Sequence, residues 1–152
     1  MNQPLPVTAS VDVAAPAEEV WAAVSDVTRM SLWSPELRRV VVLGSQKQGL
    51  GTTFLGFNRR GWAAWPTTSR VVRFEPGRAI AWRTRESGAT WTYELSHEGA
   101  GTRLVGRRDL PSYSLGTKVM APLIGGAQGH DRELADGIRT TLERIRATVE
   151  QG

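Results

Sequence analysis

The stretch from Val11 to Leu43, VDVAAPAEEVWAAVSDVTRMSLWSPELRRVVVL, constrains the fold more than any other part of the chain. Val7, Ala9, Val11 and Val13 alternate, the mark of a strand with one apolar face. Pro16 stops that strand and suits the first position of a helix, where its missing N–H would have no partner. Glu18 and Glu19 then fall in the first turn, where the helix dipole favours negative charge. Val20, Val24 and either Trp21 or Ala23 form the apolar stripe, and the helix ends at Ser25-Asp26. Asp26 suits the cap of a second helix from Val27 to about Leu32. Val27 and Thr28 are β-branched and poor helix formers, so one or two turns are expected. Trp33-Ser34-Pro35 leads directly into an apolar strand.

From there no helix interrupts the pattern until after Pro111. Strands are predicted at Arg38–Gly44, Gly51–Asn58, Trp62–Phe74, Ala79–Glu86, Ala89–His97 and Thr102–Leu110. Their connections carry hairpin chemistry: Asn58-Arg59-Arg60-Gly61, Ser87-Gly88, Glu98-Gly99-Ala100-Gly101, and Glu75-Pro76-Gly77-Arg78 with the residues of a type II turn. Short links without helical crossovers make the sheet antiparallel. Pro66 cannot donate to a ladder and marks an edge position or a bulge. Beyond Pro111, Leu115, Val119, Met120, Leu123 and Ile124 suggest a shorter helical segment broken by Pro122 and Gly125-Gly126. Leu134, Ile138, Leu142, Ile145 and Val149 then form one stripe of a long amphipathic helix. The reading is an α+β chain of 152 residues in a single domain. A curved antiparallel sheet of about seven strands wraps a long C-terminal helix, with two short helices after the first strand.

Composition removes whole classes of function. There are no cysteines, which excludes disulfides and thiolate metal sites. No apolar run approaches the roughly 20 residues that span a bilayer. The first residues, MNQPLPVTAS, lack the basic start and apolar run of a signal peptide, so a cytoplasmic location is expected. The net charge is +4 and rests on scattered arginines, with lysine only at positions 47 and 118. Scattered charge of this kind reads as a solvated sheet face, and nucleic acid is not the expected partner. A homodimer is left open.

Alternation assigns sides to the strands. Trp91, Tyr93 and Leu95 share a face, as do Ile80, Trp82 and Thr84, with Arg83 and Arg85 opposite. Trp65, Thr67, Ser69 and Val71 lie together, opposite Arg70; Leu104, Gly106 and Arg108 lie together, opposite Arg103, Val105, Arg107 and Asp109. The inward set of Trp65, Thr67, Ser69, Trp82, Thr84, Trp91, Tyr93 and Arg108 joins apolar walls to a few orienting polar groups, the makeup of a ligand pocket. An inward arginine argues against a dry core, because an unpaired buried charge is costly. Met120, on the apolar stripe before the long helix, completes the expected ligand-contacting set.

Catalytic sets are missing. His97 falls in a predicted hairpin turn and His130 precedes the polar face of the long helix, both read as surface positions. Asp131 and Glu133 beside His130 form no metal motif, and neither a metal nor a cofactor is expected. Ser34 lacks the setting of a nucleophile elbow, and Gly49 and Gly51 open no helix. Any chemistry would be acid/base work by Tyr93, Arg108, Glu36 or a water.

VDVAAPAEEVWAAVSDV, Trp33-Ser34-Pro35, Gly56-Phe57-Asn58-Arg59 and Glu75-Pro76-Gly77-Arg78 resemble the polyketide cyclase/dehydrase-like branch of the START / Bet v 1-like (SRPBCC) superfamily. So do Ile80-Ala81-Trp82-Arg83, Thr90-Trp91-Thr92-Tyr93-Glu94-Leu95 and Gly101-Thr102-Arg103-Leu104, in order and spacing from residue 7 to about 110. The resemblance implies a helix-grip fold, with a hydrophobic cavity between sheet and C-terminal helix, and a small hydrophobic ligand of lipid, polyketide or isoprenoid type. Aromatase/cyclases of the superfamily use Arg, Tyr and Trp to bind and polarise carbonyls, which makes Arg108, Tyr93 and Trp65 or Trp91 pocket candidates, with Arg108 and Tyr93 the candidates for any catalysis. The fold also hosts carriers and receptors, so three readings stand. They are a binding module, a cyclase or dehydratase acting on a poly-β-keto chain, and an interaction protein presenting Arg70, Arg83, Arg85, Arg103 and Arg107 to an acidic surface.

Overall fold

The computed structural model describes residues 6–110 and 126–151, with side chains of the last helix from Glu133 onward. Strand β1 (Val7–Val13) leads through Pro16 into helix α1 (Ala17–Val24). Pro16 itself is extended, with φ −67° and ψ 156°, so it stands one position before the expected helix start and caps through its carbonyl. That oxygen accepts from Glu19 N at 3.0 Å and Val20 N at 3.3 Å. Val20, Ala23 and Val24 are buried; Ala23 takes the third place of the stripe, and Trp21 packs edge-on against Phe74 with ring centroids 5.2 Å apart.

The second short helix is a 3-10 helix over Val27–Leu32. Its tighter winding suits a β-branched start that an α-helix would crowd. Asp26 caps it as its residue type implies: Oδ1 accepts from Thr28 N at 3.0 Å, Thr28 Oγ1 at 2.6 Å and Gln48 Nε2 at 3.0 Å. The amide of Gln48 returns the favour to the helix, its Oε1 accepting from Val27 N at 3.0 Å.

Six strands follow: β2 (Leu37–Val42), β3 (Thr53–Arg60), β4 (Ala63–Glu75), β5 (Ala79–Thr84), β6 (Thr90–Glu98) and β7 (Gly101–Asp109). All seven pair antiparallel in the order β1-β7-β6-β5-β4-β3-β2, so β1 and β2, consecutive strands, form opposite edges. The α1/3-10 pair spans that gap. Three hairpins differ from expectation. Asn58, Arg59 and Arg60 belong to β3, and only Gly61 and Trp62 form the loop, with Gly61 at φ +60° as a two-residue hairpin of this twist requires. His97 lies inside β6, opposite Thr102, and is exposed there. Strand β5 stops at Thr84, and Glu86 turns back so that its carboxylate accepts from Thr68 N at 2.6 Å.

Pro66 sits in an interior strand, yet locally at an edge. It pairs with Phe57 of β3, while β5 meets β4 only from Ser69 onward. The missing N–H therefore removes no bond to a second neighbour. Register shifts at Leu37/Arg39 and Val71/Arg73 add bends to the sheet.

The long helix, here α2 (Gly126–Gln151), lies across the concave face and packs on β1, β7 and α1. Ile138, Leu142, Ile145 and Val149 are buried, the stripe read from the periodicity. Gly106 makes the close approach possible: a Cβ there would stand 2.9 Å from Ile138 Cγ2 and 3.3 Å from Leu142 Cδ2. The expected helical segment around Leu115 to Ile124, with Met120, lies outside the described residues. Among the described residues no helix is long and apolar enough to cross a membrane. The architecture is the helix-grip fold.

Candidate functional site

A cavity of about 740 Å³ lies between the concave sheet face and α2. Its volume is within the range of pockets that take a small organic molecule. Trp65, Thr67, Ser69, Trp82, Thr84, Trp91, Tyr93 and Arg108 all line it, brought together from β4, β5, β6 and β7 because each strand turns alternate residues inward. Met120 lies outside the described residues.

The wall is aromatic. Phe54 and Trp82 meet edge-on with centroids 6.3 Å apart, and Trp82 and Tyr93 meet at 5.5 Å. Trp82 pairs directly with Trp91 across β5 and β6. Trp33 closes one end with only 1% of its surface exposed, the wedge that its place between helix and strand suggests. Its indole Nε1 is buried without a hydrogen-bond partner among the described residues, while Arg29 stacks 5.2 Å from the ring centroid. Trp65 lies at the mouth and is partly exposed.

Polar groups are few and specific. Ser69 Oγ and Thr84 Oγ1 are both buried and 2.9 Å apart. That bond uses one hydroxyl hydrogen and leaves the other for a further acceptor. Thr67 Oγ1 accepts from Asn58 Nδ2 at 3.2 Å, so its own hydrogen is also available to another group. Tyr93 is buried, and burial alone pushes its phenol well above the ordinary value; it is a neutral donor, not a base. Arg108 is buried as well, with its guanidinium carbon 5.7 Å from the Trp91 ring centroid. This is the distance of a cation–π contact.

Among the described residues the carboxylates that line the cavity, Glu36, Glu133 and Asp136, are exposed in large part and lie at its rim. Arg60 Nη1 is 2.7 Å from Glu133 Oε2 and 3.9 Å from Glu36 Oε1, joining the β3–β4 hairpin to α2 across the mouth. These side chains are about half exposed. Glu36, one of the acid/base candidates, is thus held at the entrance. Among the described residues no group of three or more His, Cys, Asp or Glu is placed to hold a metal.

Phe54 and Asn58 were not anticipated as lining residues, although alternation along β3 carries the signal: Phe54, Gly56 and Asn58 all face the cavity. The Arg60–Glu133 contact spans 73 positions and leaves no local trace in the sequence.

No curated protein matches the chain significantly. Solved structures do. The Zhui aromatase/cyclase from Streptomyces sp. R1128 is 22% identical, with a TM-score of 0.73 over 97% of this chain and 94% of that one. The Polyketide_cyc-like protein Cgl2372 of Corynebacterium glutamicum is 28% identical, with a TM-score of 0.66 over 99% and 94%. The di-domain ARO/CYC StfQ of the steffimycin biosynthetic pathway is 17% identical with a TM-score of 0.76, and this chain, covered over 97% of its length, spans 51% of it. Residues 5–150 match the family described as polyketide cyclase / dehydrase and lipid transport. The chain belongs to that family, within the SRPBCC superfamily.

Proposed function

We propose that the protein binds a small, mainly apolar molecule carrying oxygen functions, of lipid, polyketide or isoprenoid type, in the cavity between sheet and α2. One observation carries this reading. An aromatic cavity of about 740 Å³ meets Arg108, Tyr93 and three hydroxyls, and the described residues place no carboxylate or histidine in its buried part. The apolar surface supplies affinity and the few donors orient the oxygens. Native mass spectrometry of gently purified protein tests it, together with titration by anilinonaphthalene sulfonate followed through the fluorescence of the cavity tryptophans. A co-purified small molecule or saturable quenching is expected. A protein that is empty and indifferent to the probe would overturn it.

A second reading, turnover of a poly-β-keto chain, is supported by the aromatase/cyclase names of the Zhui and StfQ structures. Arg108 would stabilise a developing enolate and Tyr93 would donate a proton to it. Product ratios from such a substrate that are identical for parent, Arg108→Met and Tyr93→Phe proteins would remove those roles.

A further inference from the structure

Asn58 and Thr67 line the cavity from neighbouring strands just inside its mouth, Asn58 two positions before Arg60 on β3 and Thr67 two positions after Trp65 on β4. The Asn58 amide is fixed in orientation. Its Nδ2 donates to Trp65 O at 3.3 Å, and a backbone carbonyl can only accept, so the nitrogen lies on that side. The second Nδ2 hydrogen goes to Thr67 Oγ1 at 3.2 Å. Both amide hydrogens are thereby spent. Asn58 Oδ1 has no donor among the described residues, and the hydroxyl hydrogen of Thr67 has no acceptor among them.

The packing leaves room for that hydroxyl. Gly56 stands directly opposite Thr67, and a Cβ there would come within 2.8 Å of Thr67 Oγ1 and 3.0 Å of Leu37 Cδ1. Glycine weakens a strand interior and marks a place where another group approaches closely. The bond from Asn58 to the Trp65 carbonyl accounts for one side of the amide and gives no use to Oδ1. Both side chains are half-buried. A donor and an acceptor left over on adjacent half-buried side chains cost free energy unless a group from outside the fold pairs with them.

We infer that Asn58 and Thr67 form a subsite for a ligand hydroxyl, alcohol or phenol, just inside the cavity mouth. A hydroxyl is the complement of this pair: its hydrogen is donated to Asn58 Oδ1 and its oxygen accepts from the Thr67 hydroxyl. Oδ1 belongs to the amide whose Nδ2 touches Thr67, which keeps both atoms within reach of one oxygen. An ether or a bare carbonyl satisfies Thr67 alone and turns a lone pair toward Oδ1. A carboxylate sets negative charge against it. Trp65, directly opposite Asn58, gives the body of the ligand an apolar surface beside its hydroxyl. The subsite rests on the ligand-binding reading above and narrows it: the molecule carries a hydroxyl at the end nearest the mouth.

The test sets 2-naphthol beside 2-methoxynaphthalene, the same body with an oxygen that cannot donate, on the full chain. Each is measured by displacement of anilinonaphthalene sulfonate from the cavity. The extra methyl favours the ether through its apolar area, so the quantity read is the naphthol-to-ether affinity ratio in parent against variant. Thr67→Val and Asn58→Leu should each lower that ratio about five-fold, the scale of one neutral hydrogen bond, and Thr67→Ser should keep the parent ratio. A ratio unchanged in Thr67→Val and Asn58→Leu overturns the subsite, as does a bound sulfonate probe that neither naphthalene displaces. Thr67-dependent binding of 2-naphthamide stronger than that of naphthol assigns the subsite to an amide and overturns the hydroxyl. A protein that takes up none of these probes, the sulfonate included, removes the cavity reading itself and the subsite with it.

Discussion

Arg108 and Trp91 stand directly opposite each other across β6 and β7, with the guanidinium carbon 5.7 Å from the indole centroid. The pair places a cation against an aromatic wall inside the cavity, where an oxygen ligand beside this buried charge would feel it more strongly than in bulk water.

Replacing Arg108 with Met keeps the stem and removes the charge. Arg108 also interacts within the fold, and removing one partner of a buried charged contact can cost about 3–5 kcal/mol, so urea unfolding is measured beside ligand binding. Affinity for anilinonaphthalene sulfonate, whose sulfonate would meet the guanidinium, should fall about ten-fold or more, the scale of a lost charge-assisted hydrogen bond. A tenfold loss of affinity without a loss of stability separates a ligand-facing Arg108 from a structural one.

Tyr93 predicts an alkaline effect. Burial raises its phenol above the unfolded value, so the folded state keeps a proton that the unfolded chain releases above pH ~10. Its contribution is fully present below that pH and is lost as pH rises beyond it. Denaturant midpoints measured across this range should fall more steeply for the parent than for Tyr93→Phe. At neutral pH the two proteins should be about equally stable, with the variant binding carbonyl-bearing ligands less tightly.

Gly106 is required by packing. An added methyl meets Ile138 Cγ2 at 2.9 Å, and α2 is fixed to the sheet at this point by the fully buried Leu142. Gly106→Ala should cost about 1–3 kcal/mol in chemical denaturation, the usual penalty of overpacking. Combined with Ile138→Ala, the loss should be smaller than the sum of the single losses, because the second substitution removes the obstructing methyl.

Asp26 predicts the acid side. Partial burial opposes its ionisation, but the Thr28 hydroxyl, the Gln48 amide and the Thr28 N–H together outweigh that and hold the carboxyl below its ordinary value. Its contribution is therefore present above the unfolded value of ~3.9 and lost as pH falls below it. Asp26→Ala should cost about 1 kcal/mol at neutral pH, as loss of a helix cap does. Its stability should also vary less with pH across the acid range, measured by urea midpoints.

The order and kind of elements were legible in the residues themselves because each rests on local rules. Pro16, Asp26, Gly61 and Gly77 act within a few positions of their own backbone, and the period of Ile138, Leu142, Ile145 and Val149 is that of a single helix. Alternation also sorted Trp82, Thr84, Trp91, Tyr93 and Arg108 onto one face, since a strand's side-chain period is two. Where two rules competed, the local reading slipped. Thr84 ends β5 early because Glu86 folds back to Thr68, and Asn58 to Arg60 continue β3 because the ladder with β4 outweighs their turn tendency.

Only the tertiary structure decided what those faces enclose. The cavity exists because a bent sheet holds α2 away from its centre while Gly106 lets the helix close on β7. The ion-paired rim of Arg60, Glu36 and Glu133 likewise depends on strand pairing and helix docking. Such contacts join positions far apart in the chain, and no local propensity encodes them. The residues determine which groups face inward; the packed fold determines the space between them.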